Sequence, residues 1–144
     1  MIEKKFIGKE YPVFTYEVGR EKIREYVTTV GDLNPLYLDQ AVAKQSKFEG
    51  IIAPPIFLVL FWIKPANTAF HDKEVIPDLT GGVHGDVELK FFEVVKSGDV
   101  ITVKAKIADI FTKKNLDFIV YEMVMTNEKG QKVATAKTTH VFPS

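Results

Sequence analysis

The sequence predicts an α+β fold in which a curved antiparallel sheet wraps around one long buried central helix. Residues 56–63 (IFLVLFWI) form an unbroken apolar run with no polar face, and a helix that is apolar all round has to be buried on all sides. Four strand-like runs with one apolar face each follow it, and such strands need a cover. Turn-forming clusters separate those runs, as antiparallel pairing requires.

The elements follow in order. Residues 14–18 (FTYEV) alternate bulky and polar side chains and suit a short strand. Ile23, Tyr26, Val27 and Val30 then fall at i, i+3, i+4 and i+7, one apolar stripe on a helix over 20–30. Gly19 serves as its N-cap and Gly31 as its C-terminal stop. In GDLNPLYLDQ the Asn–Pro step favours a turn, since a residue before proline avoids the helical region. Asp39 then caps a short helix within 39–48. Pro55 suits the first turn of the central helix, where a missing N–H costs nothing, and Pro65 is expected to close it. A buried strand is the competing reading of 56–63, because short apolar runs are ambiguous by periodicity; the prolines on either side favour the helix. The polar stretch 64–82 is expected to be an irregular loop or lid. Strands are expected at 83–92, 100–111, 116–126 and 131–142, completing an antiparallel meander. Val87, Leu89 and Phe91 share one face, as do Ile101, Val103, Ala105 and Ile107. The sheet edges stay open, and pairing edges between two chains is the usual remedy, so a dimer is expected.

At 144 residues the chain is expected to be a single domain, 1–144, large enough to bury a core. Its 19 basic and 19 acidic residues cancel, which argues against a nucleic-acid partner. No cysteine is present, so thiolate chemistry and disulfides are excluded. The first residues hold no apolar signal core, and no run is long enough to span a bilayer, so a cytoplasmic protein without a membrane partner is expected.

Three histidines are present, His71, His84 and His140, and none sits at metal-ligand spacing; no metal or cofactor is expected. His84 stands out in GGVHGD, between glycines at a strand start, although a histidine in that setting is more often structural than catalytic. No nucleophile elbow, phosphate loop or dinucleotide fingerprint is found. Two features remain. Asp32, Asn34 and Tyr37 lie on a tight connection that can aim side chains at a site; the plainer reading gives Asp32 and Asn34 only turn and cap roles. The other is the amino end of the central helix, at Pro54, Pro55, Ile56 and Phe57. Free N–H groups there, around Ile56 and Phe57, can cradle a carbonyl oxygen that gains negative charge. A nearby carboxylate can act as a general base. Together they suit an acyl-carbonyl site.

The segments GDLNPLYLD, GIIAPP and VHGDVELKFFEVVKSGDVITVKAKIADI, in this order, resemble the MaoC-like hot-dog dehydratases and (R)-specific enoyl hydratases. The match is closest to their N-terminal-half, FAS1-like dehydratase group. The resemblance implies a hot-dog fold, side-by-side dimers and reversible addition of water to a trans-2-enoyl thioester, carried on coenzyme A or acyl-carrier protein. It implies catalytic roles for Asp32, Asn34, Tyr37 and His84, and substrate contacts at Pro54, Pro55, Ile56 and Phe57. Catalytic members read G-D-x-N-P-x-H-x-D, and here Tyr37 replaces the histidine; a phenol of ordinary pKa near 10 is a poor base at neutral pH. Pro54–Pro55 also stands where His-Gly is expected. The resemblance therefore implies either a hydratase, alone or in a mixed dimer, or the acyl-binding half of a heterodimer whose hot-dog partner carries the Asp–His pair. A thioesterase fits less well, because 56–63 lacks the carboxylate it would use.

Overall fold

The computed structural model describes residues 1–144. Strand β1 (Phe14–Glu17) leads into helix α1 (Arg20–Val30), whose buried stripe is Ile23 and Val27. Gly31 ends α1 in the left-handed conformation at φ 78°, which glycine adopts without the Cβ clash other residues meet. Two short helices follow, α2 (Pro35–Leu38) and α3 (Gln40–Gln45). The central helix begins as a 3-10 turn (Pro55–Leu58) and continues as α4 (Val59–Phe70). The remaining strands are β2 (Val83–Phe91), β3 (Val100–Lys113), β4 (Leu116–Thr126) and β5 (Lys132–Pro143).

All five strands form one antiparallel sheet in the order β1-β3-β4-β5-β2. The expected meander therefore holds only for β3, β4 and β5. Strand β2 pairs with β5 rather than with its sequence neighbour β3. The connection between β2 and β3 is held against the chain before the central helix, with Ala53 N–H donating to Val95 O at 2.8 Å and Ser97 N–H to Ile51 O at 2.9 Å. Gly98 N–H donates to Val18 O at 2.8 Å, so the chain is carried across to the β1 side before β3 starts.

The central helix departs from expectation in two ways. Pro65 lies inside it, and residues 64–70, expected to be loop, are helical. Proline costs the helix a hydrogen bond to the carbonyl four residues back. Here Phe61, Pro65 and Ala69 recur every four residues and are all buried, so the stripe that packs on the sheet runs straight through the proline and offsets that loss. Nor is the helix buried on all sides: Ile56 is 49% exposed and Ile63 50%. The sheet covers one face only, against β3 and β1. On that face Phe61 stacks edge-on to Phe57 and lies 4.6 Å from the Tyr16 ring, ring centre to ring centre. Truncating a buried phenylalanine of this kind costs about 3–5 kcal/mol.

Candidate functional site

The turn after α1 places the polar residues that the sequence singles out. Asn34 is the N-cap of α2: its Oδ1 accepts the Leu36 N–H at 3.0 Å, and Pro35 occupies the first helical position. Asp39 caps α3, with Oδ1 accepting from Ala41 N–H at 2.8 Å and Val42 N–H at 3.1 Å. The plain reading thus accounts for Asn34. For Asp32 only the backbone serves the turn, its N–H donating to Val27 O at 2.9 Å, while its exposed carboxylate accepts no hydrogen bond from the chain. Tyr37 is half-buried nearby; burial first, and then the Asp32 charge, raise its pKa above the ordinary phenol value. Tyr37 is therefore a neutral hydroxyl, a donor and acceptor rather than a base.

At the helix start, the Phe57 N–H is already taken by Pro54 O at 2.9 Å, the tight bond of the 3-10 turn. Its ring is fully buried, edge-on to Tyr26 at 5.4 Å. The Ile56 N–H has no acceptor in the chain, so it is the open donor at this end. Beside it lies an apolar groove of about 430 Å³ walled by Tyr37, Pro54, Pro55, Leu58, Phe91 and Val95, among others. The groove thus brings Tyr37, Pro54 and Pro55 together. Neither Ile56 nor Phe57 lines it through its side chain, and Asp32 and Asn34 lie outside it.

His84 stands apart. It lines a separate open cavity of about 290 Å³ with Trp62, Asn67, Phe70, Thr138 and His140. Its Nε2 shares a hydrogen bond of 2.6 Å with the buried Thr138 hydroxyl. The cause is a bulge between His84 and Asp86 in β2. Val87 and Leu89 turn towards the core, so strict alternation would point His84 away from it. The extra residue reverses the alternation, and His84 comes to lie directly opposite His140 on β5. Burial, and then the neighbouring His84, hold the His140 pKa down to about 4. The sequence pattern singles out His84 but not its partners Thr138 and His140. Only the β2–β5 pairing joins them, and a sequential meander hides that pairing.

Residues 5–136 match the family described as FAS1-like, dehydratase domain region. A UPF0336 protein of Saccharopolyspora erythraea is 36% identical over 141 residues, 97% of this chain and 90% of its own. Another, from Streptomyces avermitilis, is 36% identical over 138 residues, 95% of this chain and 92% of its own. Among solved structures, the C-terminally truncated HadBC (3R-hydroxyacyl-ACP dehydratase) complex of Mycobacterium tuberculosis aligns with a TM-score of 0.78 at 24% identity, over 95% of this chain and 97% of that one. R-hydratase PhaJ1 from Pseudomonas aeruginosa aligns with a TM-score of 0.74 at 22% identity, over 96% and 82%. At such identities the structures speak for the fold, a hot-dog. The family match spans the turn at Asp32, the helix start at Pro54 and the bulged strand at His84, and with it the chain belongs to the FAS1-like dehydratase domain family.

Proposed function

We propose that this chain, a single hot-dog domain acting in the cytoplasm, is a subunit of an (R)-specific 3-hydroxyacyl-thioester dehydratase/enoyl-thioester hydratase. It takes up the acyl group of an acyl-CoA or acyl-carrier-protein thioester, and a second hot-dog subunit supplies the Asp–His pair. The observation that carries this reading is Tyr37. It sits beside Asp32 with its pKa raised by burial and by the Asp32 charge, so no group at that position trades protons near neutrality. The apolar groove behind Tyr37 suits an acyl chain, and the open Ile56 N–H suits its thioester carbonyl. In the full reaction, a water oxygen bonds to C3 of the enoyl thioester while a proton is delivered to C2. Holding the thioester carbonyl oxygen stabilises the negative charge that develops there during the transfer.

A second reading, a hydratase that works alone, is favoured by the free Asp32 carboxylate. One experiment separates the two. Loss of enoyl-thioester absorbance is followed for a short trans-2-enoyl-CoA with the purified chain and with Asp32→Asn, alongside calorimetric binding of the matching saturated acyl-CoA. Binding without turnover is expected. Turnover by the chain alone that collapses in Asp32→Asn would overturn the acyl-binding reading in favour of the second. A thioesterase using a carboxylate of the central helix is disfavoured, because 55–70 contains no aspartate or glutamate.

A further inference from the structure

Helix α1 carries the only two arginines of the chain, Arg20 and Arg24; every other basic residue is a lysine. With Thr28 they recur every four residues, so the three side chains form one row along the helix. Like charges at that spacing repel and destabilise a helix. Neither arginine has a carboxylate partner to relieve this, although Lys22 on the same helix pairs with Glu25 at 3.0 Å. The row lines a surface pocket of about 370 Å³, together with Glu21, Tyr37 and Leu38. Glu21 stands one residue off the row, and the two guanidinium groups outnumber it, so the lining keeps an excess positive charge. Asp32 bears on Tyr37 but does not line the pocket. Arg20 is also the first residue of α1, where the positive end of the helix dipole adds charge of the same sign. Guanidinium groups offer N–H donors in a planar fork that fits phosphate oxygens in pairs. Two forks and a threonine hydroxyl are more donors than one carboxylate can fill, whereas a phosphate presents oxygens in several directions.

The acyl groove lies on the other side of α2. Leu36 and Tyr37 line the groove, and Tyr37 and Leu38 line the pocket, so the single turn Pro35–Leu38 divides them. Pro35 is exposed and Tyr37 only half-buried, so that divide lies at the surface and a ligand crosses it without entering the core. The groove therefore has an anion pocket one side chain away. In acyl-CoA and in acyl-carrier protein alike, pantetheine joins the thioester sulfur to a phosphate. Its two amide units make that arm longer than a tyrosine side chain, and the neutral Tyr37 hydroxyl can donate to it or accept from it.

We propose that the pocket of Arg20, Arg24 and Thr28 receives the phosphate of the pantetheine arm that carries the acyl group. The proposal rests on the acyl-binding reading above. Octanoyl-pantetheine, octanoyl-phosphopantetheine, octanoyl-CoA and a bacterial acyl-carrier protein charged with octanoate are titrated onto the full chain by calorimetry, beside unacylated phosphopantetheine. The phosphorylated octanoyl probes are expected to bind about tenfold tighter than octanoyl-pantetheine, as charge-assisted hydrogen bonds allow. Added salt should erode this preference, because exposed charges are screened. Arg20→Gln and Arg24→Gln are each expected to abolish it while octanoyl-pantetheine binds as before. Lys22→Gln, on the same helix but outside the pocket, is expected to leave it unchanged. Arginine dependence with octanoyl-CoA, with the carrier protein or with both upholds the proposal and identifies the carrier. If octanoyl-pantetheine binds as tightly as its phosphorylated forms, or the preference survives both arginine substitutions, the pocket is overturned and the acyl-binding reading stands. A loss in Lys22→Gln equal to that in the arginine variants marks a diffuse field and overturns the pocket as well. If unacylated phosphopantetheine binds through the arginines and the octanoyl group adds nothing, the pocket stands and the acyl groove falls. If no probe binds, both are overturned.

Discussion

His140 is kept neutral by the packing around it, with the Phe70 ring at 4.8 Å, Tyr121 at 5.5 Å and His84 at 5.2 Å. The cost falls on stability at mildly acid pH. An unfolded histidine titrates near 6.5 and the folded one near 4, so between those values the unfolded chain binds a proton that the folded chain refuses. Stability is therefore full above about pH 6.5 and lost progressively as pH falls toward about 4. Urea midpoints measured across that window should fall with pH in the wild type and fall less steeply in His140→Gln. The carboxyl of Asp117 titrates lower still: burial works to raise its pKa, but hydrogen bonds from Thr112, Ser144 and the Ile2 N–H outweigh it. Its loss therefore comes below that of His140. A steric limit operates at Gly82. A Cβ there would lie 2.5 Å from Cε1 of the buried Phe142 ring. Gly82→Ala is expected to cost about 1–3 kcal/mol in denaturant unfolding, the usual range for overpacking a tight site.

At the scale of elements, the hairpin between β3 and β4 turns through Lys114 and Asn115, both with positive φ, at 51° and 58°. That two-residue turn favours Asn-Gly, because a lysine side chain disfavours the left-handed region. Replacing the pair by Lys114→Asn and Asn115→Gly should stabilise the protein by about 1 kcal/mol, seen as a higher thermal midpoint with an unchanged far-ultraviolet circular dichroism spectrum. Elements of this kind were legible in the sequence because their determinants are local. The stripe of α1 and its closure at Gly31 both follow from neighbours a few residues apart. Pro65 misleads for the opposite reason. Its local effect is to break a helix, and only the burial shared by Phe61, Pro65 and Ala69 against a distant sheet carries the helix onward. The same holds at the site: Tyr37, Pro54 and Pro55 can be found from a motif, whereas the pairing of His84 with Thr138 and His140 depends on a bulge and on strand order.

For the molecule as a whole, the open side of the central helix meets β2 where Ile63 and His84 line one cavity. Ile56 and Ile63 project from the one, and the far side of β2 has no strand against it. An unpaired edge beside exposed isoleucines is the arrangement a second hot-dog chain would cover. Ile63→Lys is accordingly expected to shift sedimentation towards the single chain while leaving the far-ultraviolet circular dichroism unchanged. An unchanged sedimentation profile would place the contact elsewhere. The strand order also bears on how the protein is made. Because β2 is bonded to β5 and not to β3, a nascent chain that has delivered β2, β3 and β4 still has one strand without its mate. Counted from its own end at Phe91, that strand must wait, with Val83 and Phe91 exposed, for about forty residues before β5 begins, at least two seconds at ordinary rates of synthesis. During that interval it is the segment best placed to be captured by a chaperone or to pair with the wrong chain.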